Sequence, residues 1–464
     1  MNHEPTFPKD TATHVLSFLG SVDASAMLRV NKRYVTDHPM IEKFKKHEFR
    51  YVDLFSEGHC IRAPYRKYIQ YLRRVKEVQN ITQCMMLSLQ CKSLIQLTFS
   101  SDFDGVMHEH VLPPSLQCII FGAEFSNGGY GLVENALPAG LMHLTFGEDF
   151  VNGMESLKER VLPTSLTHLT FGEHSGFVNG GCALEKTTLP KGLKHLTFGY
   201  AFDNGGKPLE ERMLPKGLTQ LAFGDNFDND GQPLQEEALP KGLTNLTFGD
   251  AFDNALEEYM LPKRLTHLTF GRFFKNGGQA LEKDMLPKSL TNLTFGGAFD
   301  NGGESLKEHT FPTHLTHLTF GYAFDNGKTA LGQHMLPKRL THLTFGEWFT
   351  NGGKALEKHM LPKGLTHLIF GDRFTNGKKA LEQHMLPDGL THLTFGRHFS
   401  NDNTALEQRM LPEGLQHLAF GSNFTNGGKP ITMEQLPKGL THLTIFSSST
   451  VIDVLRPGLT VIER

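Results

Sequence analysis

LPKGLTHLIFGDRFTNGKKALEQHM, residues 361–385, is one copy of a unit that recurs across most of this 464-residue chain. Fourteen copies share a proline, and the spacing between these prolines is 25 residues except for one of 27 and one of 22. The prolines stand at positions 113, 138, 163, 190, 215, 240, 262, 287, 312, 337, 362, 387, 412 and 437. A repeat of this length predicts one continuous solenoid of stacked coils, and not a string of separate globular domains.

Each copy carries the alternation of a β-strand. Leu368 and Phe370 alternate with His367 and Ile369, so one face of the strand turns to the core and the other turns outward. The strands of successive copies are predicted to pair as a parallel sheet. The proline prevents a long helix in the rest of the copy, which returns as an irregular arc or a short helical turn. The predicted fold class is a repeat solenoid with a parallel β-sheet and irregular return arcs.

Three further columns follow the strand. A glycine suits a bend where a side chain would clash or where φ is positive, and a phenylalanine predicts an aromatic stack in the core. The third column is asparagine, at positions 127, 152, 179, 204, 229, 254, 276, 301, 326, 351, 376, 401 and 426. It predicts a buried ladder whose amides bond free backbone groups at each turn and one another. The alternative is a surface comb, that is, a row of exposed asparagine side chains that binds a ligand.

The composition excludes several classes of protein. The formal net charge is -3 and the charges of both signs are interspersed, so we expect neither a nucleic acid nor a membrane as partner. The cysteines at 60, 84, 91, 118 and 182 follow no C-x-x-C spacing, which predicts free thiols in a reducing compartment and no zinc site. No signal-like start and no long apolar run is present, so we expect a cytoplasmic protein.

The repeat resembles a known family. The order Leu-Pro-x-x-Leu-x-x-Leu-x-Phe-Gly-x-x-Phe-x-Asn is similar to the FNIP repeat, a relative of leucine-rich repeats known chiefly from amoebae and from giant viruses that infect them. That family usually has Phe and Asn adjacent, whereas here Asp253 separates Phe252 from Asn254. The resemblance implies a leucine-rich-repeat-like solenoid over residues 91–446, of about 14–15 coils. Residues 94–99 are its predicted opening copy, and residues 456–462 are predicted to form a degenerate closing copy within a C-terminal cap, 447–464.

The chain begins with a different composition. Phe7-Pro8 leads into an apolar segment, 12–19, and a second segment, 24–34, which together predict two short helices. This stretch resembles an F-box, and the resemblance implies a helical F-box-like domain, 1–48, that docks to the adaptor of an SCF-type cullin–RING ubiquitin ligase of the host. The residues that would face the adaptor are Pro8, Val15, Leu16, Leu19 and Val30. The alternative is a helical cap on the solenoid. Residues 49–90, with basic 65–75, are predicted to form a helical bridge and cap.

A histidine column occupies the outward strand position five residues after the proline. It comprises His143, His168, His195, His267, His317, His342, His367, His392, His417 and His442. One hypothesis is a metal-binding or pH-sensing ladder. The interpretation that we favour is a polar cross-strand stack, because metal ligands converge on an ion whereas this column is a flat row. A second set, His309, His334, His359 and His384, is predicted to be solvated.

The sequence favours binding over catalysis. It contains no phosphate-binding loop and no nucleophile elbow, and its histidines recur instead of meeting in one constellation, so we expect no catalytic residue, cofactor or metal. Two hypotheses remain: a substrate receptor of a ubiquitin ligase, or a stand-alone protein-interaction solenoid. Target specificity would lie on the histidine strand face and at the variable positions before each loop phenylalanine. Trp348, the only tryptophan, is one such candidate contact.

Overall fold

The computed structural model describes residues 46–54, 72–446 and 457–463. The predicted adaptor-facing residues, Pro8, Val15, Leu16, Leu19 and Val30, lie outside the described residues. The chain divides into two compact units, with residues 207–212 assigned to unit 2 and residues 213–218 to unit 1. Otherwise unit 1 ends at Gly206 and unit 2 begins at Thr219, inside the array that the sequence predicts as one domain.

Unit 1 is a parallel sheet in which each described strand pairs with the next along the chain. Its strands are β1 Glu48–Arg50, β2 Arg74–Val78, β3 Gln96–Phe99, β4 Cys118–Ile120, β5 His143–Thr145, β6 His168–Thr170 and β7 His195–Thr197. Its helices are α1 Tyr51–Leu54 and α2 Ile81–Gln90. Equivalent repeat positions are in register, since His143 lies opposite His168. Strand β3 confirms the predicted opening copy.

The predicted helical bridge, 49–90, is only partly helical. Helix α2 is capped by Asn80, whose side chain accepts a hydrogen bond from the backbone N–H of Gln83 at 3.0 Å. Residues 74–78 form strand β2 instead of the predicted helix, and Val75 and Val78 are fully buried. Because β2 pairs with β3, its apolar residues gain a core that a free helix would lack. The sheet therefore begins before residue 91.

Unit 2 continues the same plan over eleven strands, each parallel to its neighbour. The strands are β8 Gln220–Ala222, β9 Asn245–Thr247, β10 His267–Thr269, β11 Asn292–Thr294, β12 His317–Thr319, β13 His342–Thr344, β14 His367–Ile369, β15 His392–Thr394, β16 His417–Ala419, β17 His442–Ile445 and β18 Thr460–Glu463. Strand β18 confirms a closing copy in the predicted C-terminal cap.

The core of each coil is built from leucines and two phenylalanines. The loop phenylalanine Phe374 is fully buried, as the sequence predicts, and its ring stacks on the strand phenylalanine Phe370 at 3.9 Å. Each ring also stacks on the next coil, Phe370 on Phe395 at 5.6 Å and Phe374 on Phe399 at 6.3 Å. Two parallel aromatic columns therefore hold the coils together, and each buried ring stabilises the fold by roughly 2 kcal/mol.

The glycine after each strand is required by close packing of successive coils. A Cβ added to Gly321 would lie 1.7 Å from the carbonyl oxygen of Gly296 in the preceding coil. Gly321 has no positive φ, so the reason for glycine here is the backbone approach. Of the two reasons that the sequence left open at this column, the steric one is correct.

The asparagine column joins neighbouring coils. Asn376 is fully buried, and its Oδ1 accepts a hydrogen bond from the N–H of Leu356 in the preceding coil at 2.8 Å. Its Nδ2 donates to the carbonyls of Lys379 and Ala380 in its own coil at 3.0 and 3.3 Å. The prediction of a buried, satisfied column is confirmed and the surface comb is excluded. The side chains bond backbone groups of two coils, however, and not the neighbouring asparagines.

The same asparagines sit in the left-handed region of backbone conformation. The φ of Asn376 is 53°, and the following Gly377 is also left-handed at 63°. Asparagine tolerates this region better than other residues with a Cβ, because its short side chain bonds locally. Asn254 is the exception, since the 22-residue coil lacks the Gly-Gly segment and Asn254 has no positive φ. Its Nδ2 donates to the carbonyl of Asp228 at 2.6 Å.

The described cysteines carry free thiols, as the sequence predicts. Cys84, Cys91, Cys118 and Cys182 form no disulfide, and Cys60 lies outside the described residues. Burial raises the pKa of the Cys91 thiol to about 12, so this thiol stays protonated at neutral pH. No helix within 46–54, 72–446 and 457–463 has the length and apolar character needed to cross a membrane.

Candidate interaction surface

The strand histidines form a stacked row on the outward face of the sheet. Each one is the first residue of its strand, so parallel pairing brings equivalent imidazoles side by side. In unit 1 the rings of His143, His168 and His195 stack at 4.1 Å. In unit 2 an unbroken run of six rings stacks at 4.1 to 4.3 Å. These are His317, His342, His367, His392, His417 and His442, and we call them the histidine row.

A threonine precedes seven of the ten strand histidines and determines which ring nitrogen carries the proton. The Oγ1 of Thr341 donates to the carbonyl of Thr316 in the preceding coil at 3.1 Å, and it also lies 2.9 Å from the Nδ1 of His342. A hydroxyl has one proton, and that proton is already donated to the carbonyl. We therefore assign the proton of the neutral imidazole to Nδ1, which donates to Oγ1. The Nε2 atom is left as a hydrogen-bond acceptor.

The same arrangement recurs in the other coils. At His168, His267, His317, His367, His392 and His442, the preceding threonine lies 2.9 Å from Nδ1 and donates to a carbonyl of the coil before it. Asparagine replaces histidine at 245 and 292, and the amide of Asn292 lies 2.9 Å from the hydroxyl of Thr291. The threonine–histidine pair is thus a repeated hydrogen-bonded arrangement that fixes the orientation of the imidazole ring and its tautomer.

The environment disfavours the charged form of these imidazoles. Partial burial lowers the pKa of His342, and the neighbouring His367, His317 and His392 lower it further. The pKa values of His168, His367 and His392 are lowered in the same way, first by burial and then by other histidines of the column. A proton on one ring repels a proton on the next, because the rings are only about 4 Å apart. At neutral pH the rings of His342, His367 and His392 are therefore uncharged.

The geometry does not favour a metal centre in this row. The rings of His342 and His367 are nearly parallel, with an interplanar angle of 14°, so their Nε2 lone pairs point alongside each other and do not converge. The described residues contain no group of three or more His, Cys, Asp or Glu side chains that could hold a metal ion. The polar cross-strand stack that we favoured from the sequence matches the observed contacts. The second set, His309, His334, His359 and His384, is exposed on the return arc, as expected.

A cluster of aromatic and cationic side chains follows the row at the other end of the strands. Trp348 is 40% exposed, and its ring lies 5.3 Å from that of Tyr322 in the preceding coil. The guanidinium carbon of Arg373, in the next coil, lies 4.8 Å from the centre of the Trp348 ring. This loop cluster of Tyr322, Trp348 and Arg373 occupies the two positions before each loop phenylalanine, which the sequence marks as variable. Tyr322 and Arg373 gain significance only from the stacking of coils.

Comparisons with known proteins agree with the repeat architecture. The FNIP Repeat family model matches residues 229–273, 278–322, 304–348, 353–398 and 403–449. The chain therefore carries FNIP repeats, all five matches lying in unit 2. No curated protein matches the chain in sequence.

One solved structure supports the same type of fold. CroV588, described as a novel circular LRR protein, is 33% identical to this chain with a TM-score of 0.63, and the match covers 85% of this chain and 60% of that one. The chain thus spans about 60% of the length of CroV588. The complex of TLR13 with ssRNA13 matches at 13% identity and a TM-score of 0.43, covering 87% of this chain and 58% of that one. The similarity to CroV588 supports a leucine-rich-repeat-like solenoid.

Proposed function

We propose that this chain is a non-catalytic receptor that binds a target protein on its repeat array. The observation that carries the proposal is the coincidence of two surfaces on the same consecutive coils of unit 2. The histidine row presents hydrogen-bond acceptors at the start of the strands, and the loop cluster presents an aromatic and cationic anchor just beyond their ends.

The physical character of this surface suits protein recognition. Tryptophan, tyrosine and arginine are the residues that most often dominate the energy of protein interfaces. The supporting backbone is rigid, since the N–H of Trp348 bonds the carbonyl of Tyr322 at 3.0 Å and the N–H of Arg373 bonds that of Glu347 at 2.9 Å. A pre-organised surface loses less conformational entropy when a partner binds.

The proposal extends to the ubiquitin pathway through the F-box resemblance of residues 7–34. In this proposal Pro8, Val15, Leu16, Leu19 and Val30 dock to the adaptor of a cullin–RING ligase, and the array holds the target for ubiquitin transfer in the host cytoplasm. The alternative is a stand-alone interaction solenoid that has no link to a ligase. The two proposals share the target-binding surface and differ only in the role of the N-terminal segment.

Capture of a purified SCF adaptor by the full-length chain tests the ligase link. We expect the wild-type chain to bind the adaptor and Leu16→Lys to abolish binding, because a charge would be placed in an apolar interface. Trp348→Ala is the matched control, since it changes the loop cluster and leaves the N-terminal segment intact. If the wild-type chain does not bind the adaptor, or if Leu16→Lys binds as well as wild type, the chain is a stand-alone solenoid.

A further inference from the structure

Basic side chains gather at the amino-terminal edge of the central strands in unit 2. Lys338, Arg339 and Lys363 directly follow the repeat proline and are exposed. In an earlier coil the equivalent Lys288 is paired with Asp284, four residues before it, at 3.5 Å. The residues four before Lys338 and Lys363 are His334 and His359, so these two lysines lack that acidic neighbour. The near-zero net charge of the chain conceals this local excess of positive charge.

This basic edge, the histidine row and the loop cluster coincide in three successive coils. We define the central face by His317, His342 and His367 of the row, Lys338, Arg339 and Lys363 of the edge, and Tyr322, Trp348 and Arg373 of the cluster. An extended segment that crosses these coils would meet the basic edge on one side of the imidazoles and the loop cluster with Arg373 on the other. Neighbouring strands in a sheet lie about 4.8 Å apart, so successive coils can contact nearby residues of one partner chain.

We propose that the central face binds an acidic, extended segment of the partner protein, and that the imidazoles of the row take up protons when it binds. The inference rests on the proposed target-binding role and specifies the chemistry of the target. A neutral imidazole offers a lone pair at Nε2, which repels a carboxylate. A protonated imidazole offers an Nε2–H donor and a positive charge, which attract it. Binding and protonation therefore strengthen each other.

The other charged groups around the central face are distributed unequally between its two sides. The groups that act on the pKa of His342 are other histidines of the row, on the strands at either side. On the loop side lie Glu347, Asp372 and Arg373, and Asp372 already accepts a hydrogen bond from the N–H of Arg397 at 3.0 Å. On the other side are the basic edge and the exposed His314, and Glu308 lines the same groove as Lys338 and Arg339. The excess of cations therefore lies on the basic edge, whereas on the loop side Arg373 stands among two carboxylates.

Titration calorimetry with a synthetic peptide of alternating glutamate and serine tests the inference on the full-length chain. Measurements are made at about pH 7.5 and about pH 5.5, on either side of the ordinary histidine pKa of about 6.5. We expect the affinity to rise about tenfold at the lower pH. At the intermediate pH, buffers that differ in ionisation enthalpy should report a net uptake of protons. A glutamine–serine peptide should show neither effect.

Two matched triple variants separate the row from histidines elsewhere. The variant with His317→Asn, His342→Asn and His367→Asn should lose most of the pH dependence and still fold, because Asn245 and Asn292 occupy the same position naturally. The control variant carries His309→Asn, His334→Asn and His359→Asn on the return arc, where φ is positive and asparagine is tolerated. It should bind as wild type does.

Three results would overturn the inference. The first is equal loss of pH dependence in both triple variants, and the second is failure of the glutamate peptide to bind at either pH. The third is tighter binding of a single-stranded RNA than of the peptide, which would assign the basic edge to nucleic acid. Adaptor capture is measured independently on the same protein. A chain that captures the adaptor but fails these tests would leave the ligase role standing.

Discussion

Replacing Asn376 by alanine should destabilise the array at one coil-to-coil junction. The substitution removes hydrogen bonds to the N–H of Leu356 and to the carbonyls of Lys379 and Ala380. Asn376 and Leu356 are 0% and 1% exposed, so water cannot replace the lost partner without opening the coil. An unsatisfied buried group costs about 1–3 kcal/mol, and alanine in the left-handed region costs about 1 kcal/mol more. We expect a total of about 2–4 kcal/mol.

Hydrogen exchange measured by mass spectrometry is the appropriate assay, because coils of a repeat protein can open locally. The amide of Leu356 donates to the removed side chain, so its exchange should accelerate by about a hundredfold for a local loss of about 3 kcal/mol. Amides several coils away should keep their wild-type rates. Urea denaturation gives the accompanying loss of stability for the array.

Two control variants identify the cause. Asn254→Ala removes the equivalent side chain where φ is not positive and where the amide donates to Asp228, so its cost should be nearer 1–2 kcal/mol, on the order of a single lost bond. Asn376→Gly loses the same hydrogen bonds as Asn376→Ala but fits the left-handed backbone, and should be milder by about 1 kcal/mol. Unchanged exchange at Leu356, or an equal cost at positions 254 and 376, would refute the bridging role.

Two further predictions concern the backbone and the histidines. Gly321→Ala should prevent close stacking of the coils and lower the urea midpoint sharply. Gly364→Ala should be nearly neutral, because its added Cβ would lie 3.6 Å from the carbonyl oxygen of Leu340. Equal urea midpoints for the two variants would contradict the steric explanation. The lowered pKa values of His342, His367 and His392 mean that the unfolded chain binds more protons below about pH 6.5. Stability should therefore fall as pH drops from about 6.5 and level off below the folded-state pKa values. Urea titrations across this range should show a weaker dependence in the variant with His342→Asn, His367→Asn and His392→Asn.

The periodic parts of the fold are predictable because each residue type repeats under the same physical demand. Alternation in Leu368 and Phe370 identifies the buried face of a strand, and the recurring Asn376 position demands a satisfied amide. The secondary structure of the non-repeating parts is harder to predict in this way. Residues 74–78 carry three charges, and a helix was predicted across part of them, but pairing with β3 buries Val75 and Val78 and makes the segment a strand.

The candidate surface likewise has features that the sequence predicts and features that it does not. Strand alternation places His342 on the outward face, and the variable positions before the loop phenylalanine single out Trp348. The sequence does not bring Tyr322 and Arg373 to the tryptophan, because those contacts join residues about 25 positions apart. It also does not show that Lys288 forms an ion pair with Asp284, and only that pair gives meaning to the histidine at the equivalent position before Lys338.

By itself, the sequence determined the repeat, the parallel strands, the buried phenylalanine and asparagine columns and the outward histidines. These follow from spacing and polarity, which act within one copy and are duplicated with it. Only the tertiary structure decided how the copies meet: that Asn376 bridges to Leu356, that Gly321 admits the backbone of the preceding coil, and that the Thr341 hydroxyl assigns the proton of the His342 imidazole. Such features depend on atoms from two coils at once, and their distances arise only when the coils are stacked.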